Sequence, residues 1–334
     1  MSGTLKTFLQ YALIFLVTGL LIWFSLRGLT GENKGEYLLD TWRAADKGWL
    51  FAMAVIAIIS HLLRAQRWRM LLEPSGFKST LKYSFISLMV GYLVNLVIPR
   101  GGEVSRCYNL YKLDQTPVEI SFGTVVVERI VDLVCLLILL AIAFVVESDK
   151  LVAFIDTLPI GTGDNSSRFM ILAIVGAGFL LALALAIWLV KRNTKLNAFV
   201  TKTWHGFRDG LLSIFRLKSK GTFIIYSIVI WLLYFVMSYM VILAFPETKH
   251  LGLGAVLSLF AIGSIAMAAP LPGGTGSYHV LVPQGLVFLY AIPEPDAIAF
   301  TFIFHGWQTA IMIVGGAFSL IVTSVILKKK NKLK

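Results

Sequence analysis

Apolar runs dominate this sequence and leave few choices of fold. Phe8–Leu26, Ser121–Val146, Phe169–Val190, Phe223–Phe245 and Ile298–Leu327 approach or exceed the roughly 20 residues that a helix needs to cross a bilayer; Trp49–Leu63 is a shorter sixth. Hydrocarbon offers no partner for a backbone N–H or C=O, so such runs satisfy their own hydrogen bonds as helices. Of the 334 residues, 57% are hydrophobic and 14% charged, where a soluble domain carries about a quarter charged. The expected class is an all-α polytopic membrane protein without a separate soluble domain. Phe8–Leu26 reads as a retained first span, because it is long for a signal-peptide core and no small-x-small cleavage pattern follows it. Cys107 and Cys135 form neither a disulfide framework nor a metal spacing, and the reading includes no metal or cofactor.

The net charge is +12. The lysines and arginines sit mainly between the apolar runs. That favours cytoplasmic loops and anionic lipid over nucleic acid as the explanation. Arg64, Arg67, Arg69, Lys78 and Lys82 read as one cytoplasmic basic loop, Lys191–Lys220 as a second, and the tail "LKKKNKLK" as a third. The stretch Glu147–Arg168 is acidic and is expected outside. This places both termini in the cytoplasm, and the chain in the inner membrane of a prokaryote.

Two further apolar runs, Tyr83–Pro99 and Leu253–Pro270, break the crossing parity if each spans. The parity is restored if Tyr83–Lys112 dips in from the cytoplasm and Leu253–Ala291 dips in from outside, each turning at a Gly/Pro cluster. Irregular backbone at membrane depth is tolerated where protein or a cavity surrounds it. The expected architecture is therefore about six full spans and two re-entrant helical hairpins. It falls into pseudo-repeat halves 1–150 and 165–330 of opposite orientation, each with an amphipathic surface segment. In the second, Trp204, Phe207, Leu211 and Ile214 share one helical face. Inverted repeats with broken segments at matching places are a signature of secondary transporters.

Three constellations could carry chemistry. In "IPRGGEVSRCYNLYK" (Ile98–Lys112), Arg100 and Arg106 could fork a phosphate. Gly101 and Gly102 could bring backbone close to it, with Glu103 on the face of Arg106. An interfacial helix end with snorkelling arginines is the plainer alternative. In "VVVERIVDLVC", Glu128, Arg129 and Asp132 lie within an apolar run. Glu128 and Asp132, at i and i+4, need a cation between them, and Arg100 or Arg106 is the candidate. A buried ion cluster that only holds hairpin to helix is the alternative there. In "APLPGGTGSYHV", Pro272, Gly273, Gly274 and Gly276 break the helix and could offer N–H groups to an anion, with Ser277, Tyr278 and His279 at the start of the next helix. A plain turn would look the same. His61, His205, His250 and His305 read as structural. Ser105–Arg106 beside Glu103 bears a faint likeness to membrane-embedded polyprenyl-diphosphate phosphatases.

Four stretches, "LLRAQRWRMLL", "NLVIPRGGEVSRCY", "TVVVERIVDLV" and "PLPGGTGSYHV", together resemble, in this order, the flippase-like transmembrane region of lysylphosphatidylglycerol synthases. The residues that match are Arg64, Arg67, Trp68 and Arg69; Pro99, Gly102, Glu103 and Arg106; Glu128, Arg129 and Asp132; and Pro272, Gly273, Gly274 and Gly276. The proline-to-glutamate spacing of the first hairpin is one shorter than the family's commonest form, and His279 stands where many members carry glutamate. The resemblance implies a lipid translocator for an anionic or zwitterionic phospholipid or a polyprenyl-phosphate-linked lipid. A lipid phosphatase and a non-transporting partner of a lipid-modifying enzyme are the other functions in view. A homo-oligomer or a lipid-modifying enzyme is the expected protein association. The aminoacyl-transferring domain of the full synthase is not in the sequence, so synthesis of lysyl-lipid is not expected.

Overall fold

The structure, a computed structural model, describes residues 3–29, 33–150, 204–269 and 271–332. The expected span Phe169–Val190 and the loop charges from Asp156 to Lys202 lie outside them. The described chain is helical: α1 Gly3–Arg27, α2 Lys34–Ala44, α3 Lys47–Leu72, α4 Leu81–Asn95, α5 Gly101–Asp114, α6 Val118–Val146, α7 204–211, α8 Lys220–Ala244, α9 Leu253–Ala268, α10 Ser277–Tyr290 and α11 Glu294–Lys332. Among the described residues, α3, α6, α8 and α11 are long and apolar enough to cross a membrane. At 25 residues, α1 has the length of another span. The protein is an all-α polytopic membrane protein.

Two antiparallel hairpins interrupt the spans. In the first, α4 starts behind Thr80, whose hydroxyl accepts from Tyr83 N at 3.2 Å. The chain turns at Leu96–Arg100 and returns as α5. Gly91 and Gly102 let the two backbones touch: a Cβ on Gly102 would collide with Gly91 O and the Asn95 side chain. Both open ends of this hairpin meet the end of α11, because Lys330 donates to Leu113 O and lies over the Tyr83 ring. In the second hairpin, α9 and α10 flank a tip of Pro272–Gly276. Its open ends meet the far end of α6. There Glu147 fills the space beside Gly254, and Lys150 lies over the Tyr290 ring. The hairpins therefore enter from opposite faces of the bundle.

Matching details recur around them. Each hairpin ends on a non-glycine residue with left-handed backbone, Gln115 (φ 64) and Ala291 (φ 51). Each of these precedes a proline by two positions, Pro117 and Pro293. α4 packs on α11 as α9 packs on α6. The surface helix α2 sits at the start of α11 through Tyr37–Asp296. α7 sits at the start of α6, where Gly123 and Gly210 touch. Burial and the Asp296 carboxylate push the Tyr37 phenol up to about 12. α3 and α8 run antiparallel along their length, from Asp46 N–H donating to Ala244 O at 2.7 Å down to Arg67 donating to Ser227.

Two boundaries differ from expectation. The amphipathic surface helix that the sequence suggests over Glu36–Leu50 ends at Ala44: Asp46 caps α3, accepting from Gly48 N at 2.7 Å. α3 also runs nine residues past Leu63, so Arg64, Arg67 and Arg69 are helical and not a loop. The helix continues there because Asp132 on α6 pairs with Arg64 and Arg67.

Face assignment rests on charge. Cysteines at exposed Gly35 and Lys218 sit at opposite ends of the bundle. Under the positive-inside rule, Gly35→Cys should react with an impermeant thiol reagent in intact cells, and Lys218→Cys only after permeabilisation.

Candidate functional site

The apolar face of α6 is interrupted at Glu128, Arg129 and Asp132. Glu128 lies ten residues in from Val118, roughly 15 Å along the axis at the helical rise. Two carboxylates one turn apart repel in a low-dielectric setting, and α3 supplies the cation between them. Arg67 Nη2 sits 2.6 Å from Asp132 Oδ1 and 3.6 Å from Glu128 Oε1. Arg64 Nη2 is 3.0 Å from Asp132 Oδ2, and Arg106 Nη2 from α5 is 2.5 Å from Glu128 Oε2. Arg106 also lies 4.7 Å over the Trp68 ring, which is fixed by Trp68 Nε1 donating to Thr124 Oγ1 at 2.9 Å. The cluster thus ties α3, α5 and α6 together. The expected cytoplasmic role of Arg64 and Arg67 is corrected: both are buried. Their sequence spacing is that of a basic loop, but they carry the counter-charge for α6. Arg69 does lie near the end of α3, donating to Ser79 O at 2.7 Å and to Gln66.

The neighbouring ion pair is of another kind. Arg129 Nη2 is 2.7 Å from Glu103 Oε1, with the arginine side chain 44% exposed and the glutamate 18%. Arg129 is eleven residues into α6, roughly 16 Å from that end. A guanidinium exposed at that depth is costly in lipid and marks a polar cavity or pathway. The cavity is present, with a volume of about 360 Å³ between the two hairpin tips. From the first hairpin it is lined by Tyr92, Asn95, Pro99, Arg100 and Glu103, and from the second by Met267, Leu271, Gly273 and Gly274. α11 closes it with His305, Gln308 and Thr309. The tips touch: a Cβ on Gly273 would come 3.0 Å from Leu96 Cδ2. Arg100 holds a left-handed backbone (φ 59) as the N-cap residue of α5. A residue other than glycine held there is strained, as functional turns often are.

The structure divides the expected site residues into three groups. Arg100, Glu103, Arg129, Gly273 and Gly274 line the cavity. Arg106, Glu128 and Asp132 form the adjoining buried cluster with Arg64 and Arg67. Gly102, Pro272, Gly276, Ser277, Tyr278 and His279 build the tips instead of lining the cavity. Gly102 faces Gly91, and its N–H donates to Asn95 Oδ1 at 2.7 Å, so its expected approach to a ligand is replaced by helix-to-helix contact. The N–H groups of Gly274 and Thr275 donate to Leu271 O and Pro272 O, and that of Gly276 to His279 Nδ1 at 3.3 Å. The second tip therefore satisfies these donors internally and does not offer them to an anion. Ser277 Oγ donates to Ala266 O at 2.7 Å, and the buried Tyr278 ring stacks on His305. His279 lies against Phe302 and His305. Ser105 Oγ donates to Gly102 O at 3.1 Å.

Three of the lining residues, Tyr92, Asn95 and Gln308, were not among those singled out from the sequence, and a fourth, His305, was read there as structural. Asn95 and Gln308 are amides within apolar runs, a signal that was legible. His305 reaches Gly273 O at 3.0 Å and belongs to the cavity wall. Among the described residues no group of His, Cys, Asp and Glu could hold a metal.

A multi-pass helical bundle whose two opposed hairpins meet at an arginine-bearing cavity is a polytopic membrane protein with a polar cavity between broken helices. The sequence matches the lysylphosphatidylglycerol synthase TM region over residues 9–316, and the chain belongs to that family. It is similar to the UPF0104 membrane protein MJ1595 of Methanocaldococcus jannaschii, 32% identical over 81 residues, which are 23% of this chain and 24% of that protein. It is also similar to the glycosyltransferase AglD of Haloferax volcanii, 24% identical over 312 residues, 85% of this chain and 50% of that protein. The chain thus matches half or less of the length of either relative. No solved structure matches it.

Removing one partner of a buried ion pair leaves the other charge uncompensated. Asp132→Ala, which strands Arg64 and Arg67 beside Glu128 alone, should cost about 3–5 kcal/mol, measured by unfolding in mixed micelles. The double replacement Arg106→Met with Glu128→Leu should cost less than Glu128→Leu alone.

Proposed function

We propose that the protein is a lipid translocator, with the lipid phosphate held in the cavity between the hairpin tips. The observation that carries this reading is the Arg129–Glu103 pair, part-exposed at mid-helix depth and facing a cavity that both tips line. Among the described lining residues the charged ones are Arg100, Arg129 and Glu103. In a low-dielectric setting such a wall favours an anion, and an arginine fork suits a phosphate oxygen pair. The opposed entry of the hairpins, and their matching left-handed ends, support an inverted repeat of 1–150 and 165–330. Rocking one half against the other would then expose the cavity to each leaflet in turn. The lipid tail would remain in the bilayer: Val97 and Ile98 at the first tip and Met267 at the second are well exposed. We place the chain in the inner membrane of a prokaryote with both termini cytoplasmic. This follows from the basic residues at the ends of α3, α8 and α11.

Family membership and the likeness to a relative named a glycosyltransferase support work on a lipid substrate. A lipid phosphatase would need an activated nucleophile, and the Ser105 hydroxyl is instead donated to Gly102 O. Association with a lipid-modifying enzyme is compatible with transport.

The test is movement of a tail-labelled phospholipid across proteoliposomes, read by quenching of outer-leaflet dye. The protein should accelerate exchange well above protein-free vesicles. Arg100→Gln with Arg129→Gln should lower the rate at least roughly tenfold, because charge-assisted bonds to the phosphate are lost. Arg43→Gln, on the exposed face of α2, should not. Equal rates with and without protein, or phosphate release from a polyprenyl diphosphate, would overturn the reading.

A further inference from the structure

Beside the tip cavity lies a second one of about 210 Å³. Its walls come from α3, α4, α8, α9 and α11. Tyr92, Gln308 and Met312 line both cavities, so these three side chains are what divides them. Part of the second cavity's lining is apolar, with Met53, Met237 and Phe260. The rest is polar and mostly uncharged: His61, Tyr92, Tyr234, Ser238 and Gln308, with Arg64 as the one charged lining group among the described residues.

Several of these polar atoms have unused hydrogen-bonding capacity. His61 is 6% exposed, and its Nδ1 has no protein partner among the described residues; nor does the buried Tyr92 hydroxyl. The Tyr234 hydroxyl accepts from Arg64 Nη1 at 3.1 Å, which leaves its own proton to donate. Ser238 Oγ donates to Tyr234 O at 3.1 Å and can still accept. Buried polar groups are ordinarily paired, and a cluster of them unpaired around a cavity calls for a ligand with matching donors and acceptors. Two phenols, an imidazole, a hydroxyl and an amide match hydroxyl groups, each of which both gives and takes a hydrogen bond. They match an ammonium poorly, since the charge already present there is the Arg64 guanidinium. The observations on the first cavity do not require any of this.

We infer that the second cavity is a subsite for an uncharged, hydroxyl-bearing head group. The substrate class is then a lipid phosphate esterified to a polyol or sugar. This rests on the lipid phosphate lying in the first cavity, as proposed above. The head group beyond the phosphate passes Tyr92 and Gln308 and hydrogen-bonds at His61, Tyr234 and Ser238. A site built to bind hydroxyls rejects an analogue lacking them, because its own polar groups are then left buried and unpaired.

The experiment uses the full chain in phosphatidylcholine nanodiscs and three chain-matched probes: phosphatidylinositol, phosphatidylethanol and phosphatidylethanolamine. The first two share a phosphodiester charge and differ in hydroxyls. Phosphatidylinositol should bind at least roughly tenfold more tightly than phosphatidylethanol. His61→Phe keeps a ring against Tyr92, 4.8 Å away between centroids, and should erase most of that preference while leaving phosphatidylethanol affinity unchanged. Ser238→Ala should lower the preference independently. The inference is overturned if phosphatidylinositol binds no more tightly than phosphatidylethanol, if phosphatidylethanolamine binds most tightly, or if both variants keep the preference. Phosphatidylethanol affinity unaffected by Arg100→Gln with Arg129→Gln would instead sink the phosphate site itself, and this inference with it.

Discussion

Arg67 sits between Glu128 and Asp132, and the arrangement of the bundle depends on that placement. Two carboxylates on one turn of a membrane helix are unfavourable alone, and so is an arginine at mid-depth of another. Brought together they compensate, and the geometry that does so fixes α3 against α6. Arg64 extends the contact to α8 through Tyr234, and Arg106 extends it to the first hairpin. A buried ion cluster is weak grounds for claiming net stability. Its contribution is register: any slide of α3 along α6 separates Arg64 and Arg67 from Asp132.

That register places the Arg129–Glu103 pair. Arg129 follows Glu128 directly, so once Glu128 faces inward to Arg106, Arg129 is turned by one residue toward the tips. Glu103 lies three residues before Arg106 on α5 and meets it there. The buried cluster and the cavity wall are therefore one construction on two helix faces, the first closed by ion pairs and the second facing the cavity. The close approach of Gly91 and Gly102 sets how far the first tip reaches, and Gly273 allows the second to meet it.

The fold class, most spans and both hairpins were legible in the sequence, as were the candidate residues Arg100, Glu103 and Arg129. Apolar length and Gly/Pro punctuation are local signals. The role of Arg64 and Arg67 was not legible. Three arginines in six positions at the end of an apolar run look like a loop, and nothing nearby in sequence shows that their partners lie some 65 residues later. The glycines of the tips were legible as breaks, but not as helix contacts, since that depends on which backbone lies opposite.

By itself, then, the sequence determined that the chain lies in a membrane as helices, that two pairs of them are broken hairpins, and that ionisable residues lie inside the apolar runs. Backbone hydrogen bonding in hydrocarbon permits little else. Only the tertiary structure decided which charges cancel and which face a cavity. Asp132 and Arg129 are three residues apart on one helix, yet one closes a buried cluster and the other lines the cavity. That difference is set by the neighbour on each face, a long-range pairing that composition and periodicity do not encode.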